Sequence, residues 1–206
     1  MKVLGISLGH DTNFCLVEDG KVVEVIEVER FFRQKRYKIS CFSLEDRDIS
    51  SGFQFVNVKD LRSTLKTIIK KWGNSFDHVA VQNQKREDEF NNLIKVLEEF
   101  NISYNSIDNL NHHLCHAAGA YFTSPFEESL ILSYDGAGND GNTIFFKGEG
   151  SSLEYLEVYT LKFGGSYNNL GFICNISPDI SGTTSGKTMG LTSYGNVIED
   201  WLPVFK

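Results

Sequence analysis

The sequence predicts an α/β protein built on a mixed sheet with helices on both faces. An opening third patterned as a meander of strands, helical stripes alternating with short apolar strands, and a later segment that repeats the opening carry that prediction. In order, residues 2–7 form an apolar run, residues 13–18 alternate, and residues 21–28 are rich in valine and isoleucine. Asp19-Gly20 supplies the hairpin turn between the last two, so three antiparallel strands are expected first. A helix follows with Asp60 as its cap, because Leu61, Leu65, Ile68, Ile69 and Trp72 fall on one stripe and Gly73-Asn74 stops it. A strand at 78–81 leads to a second helical stripe of Phe90, Leu93, Ile94, Leu97 and Phe100, and residues 102–107 return to strand.

From Leu130 to Gly136 the chain resembles Val3 to Gly9. In each case a glycine turn leads into an alternating strand, residues 143–147 and 13–18, and then a third strand, residues 153–160 and 21–28. One lobe thus reads as a duplicate of the other, residues 1–124 and 125–206, with the second copy expected to be cut short at Lys206. Two such lobes across a cleft resemble, in architecture alone, the ribonuclease H-like plan of the actin-like ATPases and sugar kinases.

Composition narrows the partners. With 206 residues, 41% hydrophobic and 13% aromatic, the chain can bury a sizeable core. A net charge of -7 disfavours nonspecific attraction to nucleic acid or to an anionic membrane, and no apolar run approaches the ~20 residues of a membrane span. Cys15, Cys41, Cys115 and Cys174 lie far apart in apolar contexts and form no Cys-x-x-Cys pair, so buried thiols are expected, and with them a cytoplasmic chain.

The chemistry concentrates between Asn111 and Gly141, where Asn-His-His-Leu-Cys-His precedes a short strand ending in Asp135 and a glycine turn. His112 and His116 are four apart and share a helix face, and Asp135 sits at the carboxyl end of a strand, where ligands bind in open sheets. Spacing alone does not separate a metal role for the pair from capping or core hydrogen bonding; Asp135 favours the metal. His113 points elsewhere on the helix and reads either as a support behind the ligands or as structural, while Ala117, Ala118, Gly119 and Ala120 leave room for close approach. Three other motifs are rejected. Gly136 to Gly141 matches a dinucleotide fingerprint but leads into a strand. Gly182 to Thr188 resembles a P-loop with its spacing one short. The histidine pair lacks the glutamate of a zincin helix at position 113.

Together the segments resemble a known family. Asn111-His112-His113-x-x-His116-Ala117, Ser124-Pro125-Phe126-Glu127-Glu128 and Asp135-Gly136 are similar to the amino-terminal domain of bacterial carbamoyltransferases of the nodulation and antibiotic-biosynthesis type. So are Gly9-His10-Asp11, Glu29-Arg30-Phe31-Phe32-Arg33-Gln34-Lys35 and the run from Gly186 to Gly195. The resemblance implies transfer of a carbamoyl group to an acceptor hydroxyl from carbamoyl-adenylate, itself made from carbamoyl phosphate and ATP by a separate carboxyl-terminal domain. It implies His112, His116 and Asp135 as ligands of a divalent transition metal, iron with zinc as the alternative. It places His10 and Lys35 at the transferred group and Asp11, Gly136, Gly138 and Lys187 at the nucleotide. His10 would take the proton of the attacking hydroxyl and Lys35 would stabilise oxyanion charge. Where the family usually continues Lys-His-Asp, this chain has Lys35-Arg36-Tyr37, so acceptor contacts in that loop are expected to differ.

The remaining expectations follow from length. Family members are much longer, so this chain alone is expected to be inactive, and an incomplete second lobe favours pairing with a second copy. An actin-like ATP-binding or kinase-like protein without carbamoyl transfer is the alternative, separable by transition-metal content, since a kinase of this plan holds magnesium through carboxylates and phosphate.

Overall fold

In a computed structural model of the chain, the described residues are 1–41, 58–83, 87–136, 141–160, 163–178 and 183–200. The first sheet contains β1 (Lys2–Ser7), β2 (Asn13–Glu18), β3 (Lys21–Glu27), β4 (Ser75–Gln82) and β5 (Ser103–Leu110), in the order β3-β2-β1-β4-β5. Strand β2 is antiparallel to both neighbours, while β1, β4 and β5 run parallel. That order, with one antiparallel strand, is the ribonuclease H-like arrangement expected from the sequence. Asp19 and Gly20 turn the β2–β3 hairpin with φ of 48° and 78°, the left-handed pair such a turn requires.

Period-two alternation decides which face is filled. Leu4, Ile6, Phe14, Leu16, Val79 and Val81 point to one side and are buried there. Onto that side pack α2 (Val58–Trp72), through Leu61, Leu65 and Ile68, and α3 (Glu87–Glu99), through Leu93, Val96 and Leu97. On the other side of the strands Gly5, Cys15, Ala80 and Gln82 border a cavity of about 610 Å³, closed opposite by Cys115, His116 and Gly119 of α4 (His112–Phe122).

The second sheet orders β6 (Glu128–Tyr134), β7 (Thr143–Glu149) and β8 (Ser152–Tyr159) as an antiparallel meander. Both meanders carry a register shift in the pairing of their last two strands, at Leu16/Val17 and at Phe145/Phe146. Helix α4 packs on this sheet: Ala117 and Tyr121 bury against Ile131, Ile144 and Phe146. Gly148 lies under the Tyr121 ring, where an added Cβ would stand 2.7 Å from ring carbon, so the close approach requires glycine.

Some local expectations are corrected. Asp60 does not cap α2: the helix begins at Val58, which is buried, and the Asp60 carboxylate accepts the Tyr37 hydroxyl instead. A short helix α1 (Val28–Phe32) follows β3, and two further helices, α5 (Phe163–Ile173) and α6 (Ser185–Thr192), form from glycine-rich sequence. All four cysteines are free, but of the expected buried thiols only Cys41 is buried: Cys15 and Cys115 are half-buried, and Cys174 is exposed because it follows the last turn of α5 at the surface. No helix among the described residues is long and apolar enough to cross a membrane.

Candidate metal centre

The carboxyl ends of four strands deliver the site. Ser7 and Gln82 are paired in the β1–β4 register, and Gln82 is paired with Leu110 in the β4–β5 register. Leu110 is followed by Asn111, whose side chain accepts from the backbone N–H of His113 at 2.8 Å and of Leu114 at 3.2 Å. This cap satisfies two of the open donors at the helix start and fixes where His112 leaves the backbone. Asp135 arrives from the end of β6 and is held by its own turn: its N–H donates to the Asn142 carbonyl at 2.8 Å, and Asn142 Nδ2 donates to the Gly136 carbonyl at 2.7 Å.

His112, His116 and Asp135 converge. His112 Nε2 lies 2.6 Å from Asp135 Oδ2, His116 Nε2 lies 3.5 Å from the same oxygen, and the two imidazole nitrogens are 3.1 Å apart. One ligand atom from each residue falls within 4.8 Å of the others. Ligands about 2.0–2.2 Å from a common ion stand roughly 3 to 3.5 Å from one another, so the donor set fits a divalent transition metal with little movement. Hydrogen bonds from His112, and then His116, hold the Asp135 carboxyl far below the usual carboxylate range; the bond to Asp135 raises His116 correspondingly. His116 is half exposed and His112 largely covered, so the open side faces solvent through His116.

His113 turns the other way. It is fully buried, with Nδ1 2.7 Å from Ser133 Oγ and Nε2 3.1 Å from the Gly141 carbonyl, and so ties α4 to β6 and to the start of β7. That is a structural position, as its place on the helix implied.

His10 and Asp11 stand at the mouth of the cavity that also meets His112 and His116. Their turn is rigid. Thr12 is buried, donates its hydroxyl to the Gly9 carbonyl at 2.6 Å, accepts the Ile39 N–H at 2.8 Å, and donates its own N–H to Tyr37. Asp11, at φ 57°, brings Oδ2 to 2.7 Å from His10 Nδ1.

A second cavity, of about 550 Å³, runs from His10 and Asp11 past Asp135 and Gly136 to Gly164 and Ser185. Gly164 presses on the Asp135–Gly136 turn so closely that a Cβ there would lie 2.7 Å from Gly136 N. Arg36 lines this cavity and donates to Thr183 Oγ1 at 2.9 Å. Lys35 is exposed and borders neither cavity; the basic side chain that reaches the wall from this segment is Arg36. Lys187 also borders neither, since it donates to the Ser177 and Pro178 carbonyls at 3.0 and 3.3 Å. Gly138 lies outside the described residues. Arg30, from the same basic run, pairs with Glu27 at 2.8 Å on the surface. Sequence reading did not single out Ser7, Gln82 or Thr183: a strand-end position alone marks the first two, and Thr183 lies in the rejected P-loop-like run from Gly182 to Thr188.

A ribonuclease H-like sheet followed by a second antiparallel meander, with the donor set at the strand ends, defines an actin-like α/β fold. The chain belongs to the carbamoyltransferase N-terminus family, whose model matches residues 66–205. It is 28% identical over 225 residues to the uncharacterized protein sll1178 of Synechocystis sp. (strain ATCC 27184 / PCC 6803 / Kazusa), covering 94% of this chain and 34% of that protein. It is 27% identical over 204 residues to the nodulation protein NolNO of Sinorhizobium fredii (strain NBRC 101917 / NGR234), covering 91% of this chain and 28% of that one. The chain thus spans about a third of the length of these relatives. Among solved structures, an exopolyphosphatase from Cytophaga hutchinsonii overlaps 87% of this chain and 55% of its own at 16% identity and a TM-score of 0.39, a likeness too loose to bear on function.

Proposed function

We propose that this chain is the metal-holding, acceptor-side part of an O-carbamoyltransferase, passing a carbamoyl group from carbamoyl-adenylate to a small-molecule hydroxyl. Family membership supports the carbamoyl group, and one observation supports the site: the convergence of His112 Nε2, His116 Nε2 and an Asp135 oxygen beside His10. In this reading residues 1–124 and 125–206 are the two lobes that border the cleft. His112, His116 and Asp135 would hold iron, which when bound neutralises phosphate charge and polarises the adjoining carbonyl.

The chain's own groups supply the rest. With Asp11 on Nδ1, the neutral His10 ring carries its proton there and keeps Nε2 as the basic atom, suited to take the acceptor's hydroxyl proton. Asp11 then stabilises the imidazolium that results. Arg36, on the wall between His10 and Thr183, is better placed than Lys35 to meet the adenylate phosphate. Gly136 and Gly164 keep that wall at backbone height, which lets a phosphate approach closely.

Equilibrium dialysis of the purified chain against Fe(II), Co(II) and Zn(II) tests the reading. About one equivalent should bind to the wild-type chain, and His112→Ala and His116→Ala should each abolish tight binding. Full retention by both variants would remove the metal site. Calorimetry with AMP as the probe tests the phosphate wall: Arg36→Ala should weaken binding while Lys35→Ala leaves it unchanged, and the opposite ranking would return the role to Lys35.

A further inference from the structure

Resting on the metal reading above, we infer that Gln82, backed by Ser7, is a positioning residue that selects which nitrogen of His112 is available to an ion, and that its amide turns over when the ion binds. The geometry is specific. Gln82 Nε2 lies 3.1 Å from His112 Nδ1, and Gln82 Oε1 lies 3.1 Å from Ser7 Oγ. In this orientation the Ser7 hydroxyl donates to the amide oxygen and the amide N–H donates to Nδ1. The proton of the neutral imidazole is therefore on Nε2, and it is given to Asp135 Oδ2 at 2.6 Å. That proton occupies the place an ion would take between the two side chains.

Metal binding through Nε2 demands the other tautomer. Nε2 must offer its lone pair, so the ring proton moves to Nδ1, one proton leaving Nε2 and one arriving at Nδ1 through solvent. An Nδ1–H facing an amide N–H would be left unsatisfied in a largely covered position. A half-turn of the Gln82 amide removes the conflict: Oε1 accepts from Nδ1–H, and Nε2 donates to Ser7 Oγ. A hydroxyl accepts as readily as it donates, so Ser7 serves both states without backbone movement. Leucine at this position would serve neither state, and glutamate only the metal-bound one. The partner on the outer nitrogen of a metal-bound histidine fixes ring orientation and basicity, and its loss typically weakens metal affinity by about 10- to 100-fold. The strand register supplies the means: Ser7 and Gln82 are directly paired at the ends of parallel strands, and Gln82 is paired in turn with the residue two before His112.

Co(II) titration of the 206-residue chain, followed by visible absorbance, together with ¹⁵N shifts of the His112 ring in the metal-free protein, tests this. Gln82→Leu should bind Co(II) about 10- to 100-fold more weakly than wild type. Gln82→Glu, a fixed acceptor, should bind at least as tightly as wild type and bring a proton to Nδ1 of the metal-free His112, read as a shift of that ring nitrogen, while Nε2 keeps its bond to Asp135. Wild-type affinity in Gln82→Leu, or an Nδ1 without a proton in Gln82→Glu, would overturn the inference. If Gln82→Leu fails to fold, the Nδ1 shift of Gln82→Glu decides alone. A wild-type chain that binds no Co(II) would instead overturn the metal reading on which the inference rests.

Discussion

Around the five-stranded sheet, α2 and α3 lay two long apolar stripes across one face, and Phe14, Leu61, Leu65, Ile68, Leu93 and Leu97 are fully buried between them. The three-stranded sheet repeats the strand meander but is covered on one face by α4, with Ile131, Ile144 and Phe146 as its buried apolar residues. Its alternate positions stay open: Leu130 is 68% exposed, Leu132 49% and Tyr134 62%. The same local pattern therefore gives a well-filled core in one copy and a thin one in the other. The donor set lies at that boundary, since α4 leaves the first sheet at Asn111 and packs on the second, while Asp135 comes from the second.

Large-to-small substitutions sharpen the contrast most. Leu65→Ala in the filled core should cost about 3–5 kcal/mol, because packed neighbours cannot collapse into the space. Ile131→Ala, under α4 alone, should cost nearer 2 kcal/mol. Its neighbour Leu132→Ala should stay within about 0.5 kcal/mol, since that side chain is half exposed already. Urea unfolding of the three variants measures this, and equal losses at 131 and 132 would break the contrast. Gly148→Ala should follow, at about 1–3 kcal/mol, as its methyl meets the Tyr121 ring that joins α4 to the second sheet.

How far these halves were readable in the sequence follows from the kind of signal each carries. The hairpin at Asp19-Gly20, the two helical stripes and the duplicated meander are periodic, so they survive without tertiary information. His112 and His116 were legible because one helix brings them together, and Asp135 because it ends an apolar strand. Helices α5 and α6 were not legible: each contains glycines, which cost a helix about 1 kcal/mol apiece relative to alanine, and tertiary contact overrides that preference. Gly171 of α5 shows the contact, lying against the Thr184 side chain at the start of α6. Gln82 was illegible as well, because its role comes from register with Ser7 and Leu110 rather than from neighbours in the chain. Lys35 and Arg36 illustrate the limit of a motif, which ranks adjacent residues but cannot see that Arg36, at φ 57°, turns its guanidinium toward Thr183.

Thiol chemistry gives a subtler test of burial across the molecule. Burial pushes the Cys41 thiol up to about 12 and the Cys115 thiol to about 11, while Cys174 is exposed. At pH 8 a disulfide reagent should modify Cys174 first and Cys41 last. Rapid reaction of Cys41 would show that the filled core opens readily.

A comparably small effect belongs to the surface of the first half. Arg62 donates to Glu99 at 2.9 Å and lowers its pKa by that hydrogen bond. A lowered carboxylate stabilises the fold above its unfolded value, and that contribution is lost as pH falls through the folded value. Glu99 is 44% exposed, so solvent screening keeps the pair below about 1 kcal/mol. The stability difference between wild type and Arg62→Ala should therefore shrink as pH falls below about 4.5. A difference that holds constant into acid would assign the effect to packing of the arginine stem.

X-ray absorption at the metal edge of the Fe(II)- or Co(II)-loaded chain bears most directly on the joining of the two halves. Two imidazole nitrogens and a carboxylate oxygen in the first shell, with one imidazole lost in His112→Ala, are the expected result. A shell of water and carboxylate oxygen alone, unchanged in that variant, would contradict it.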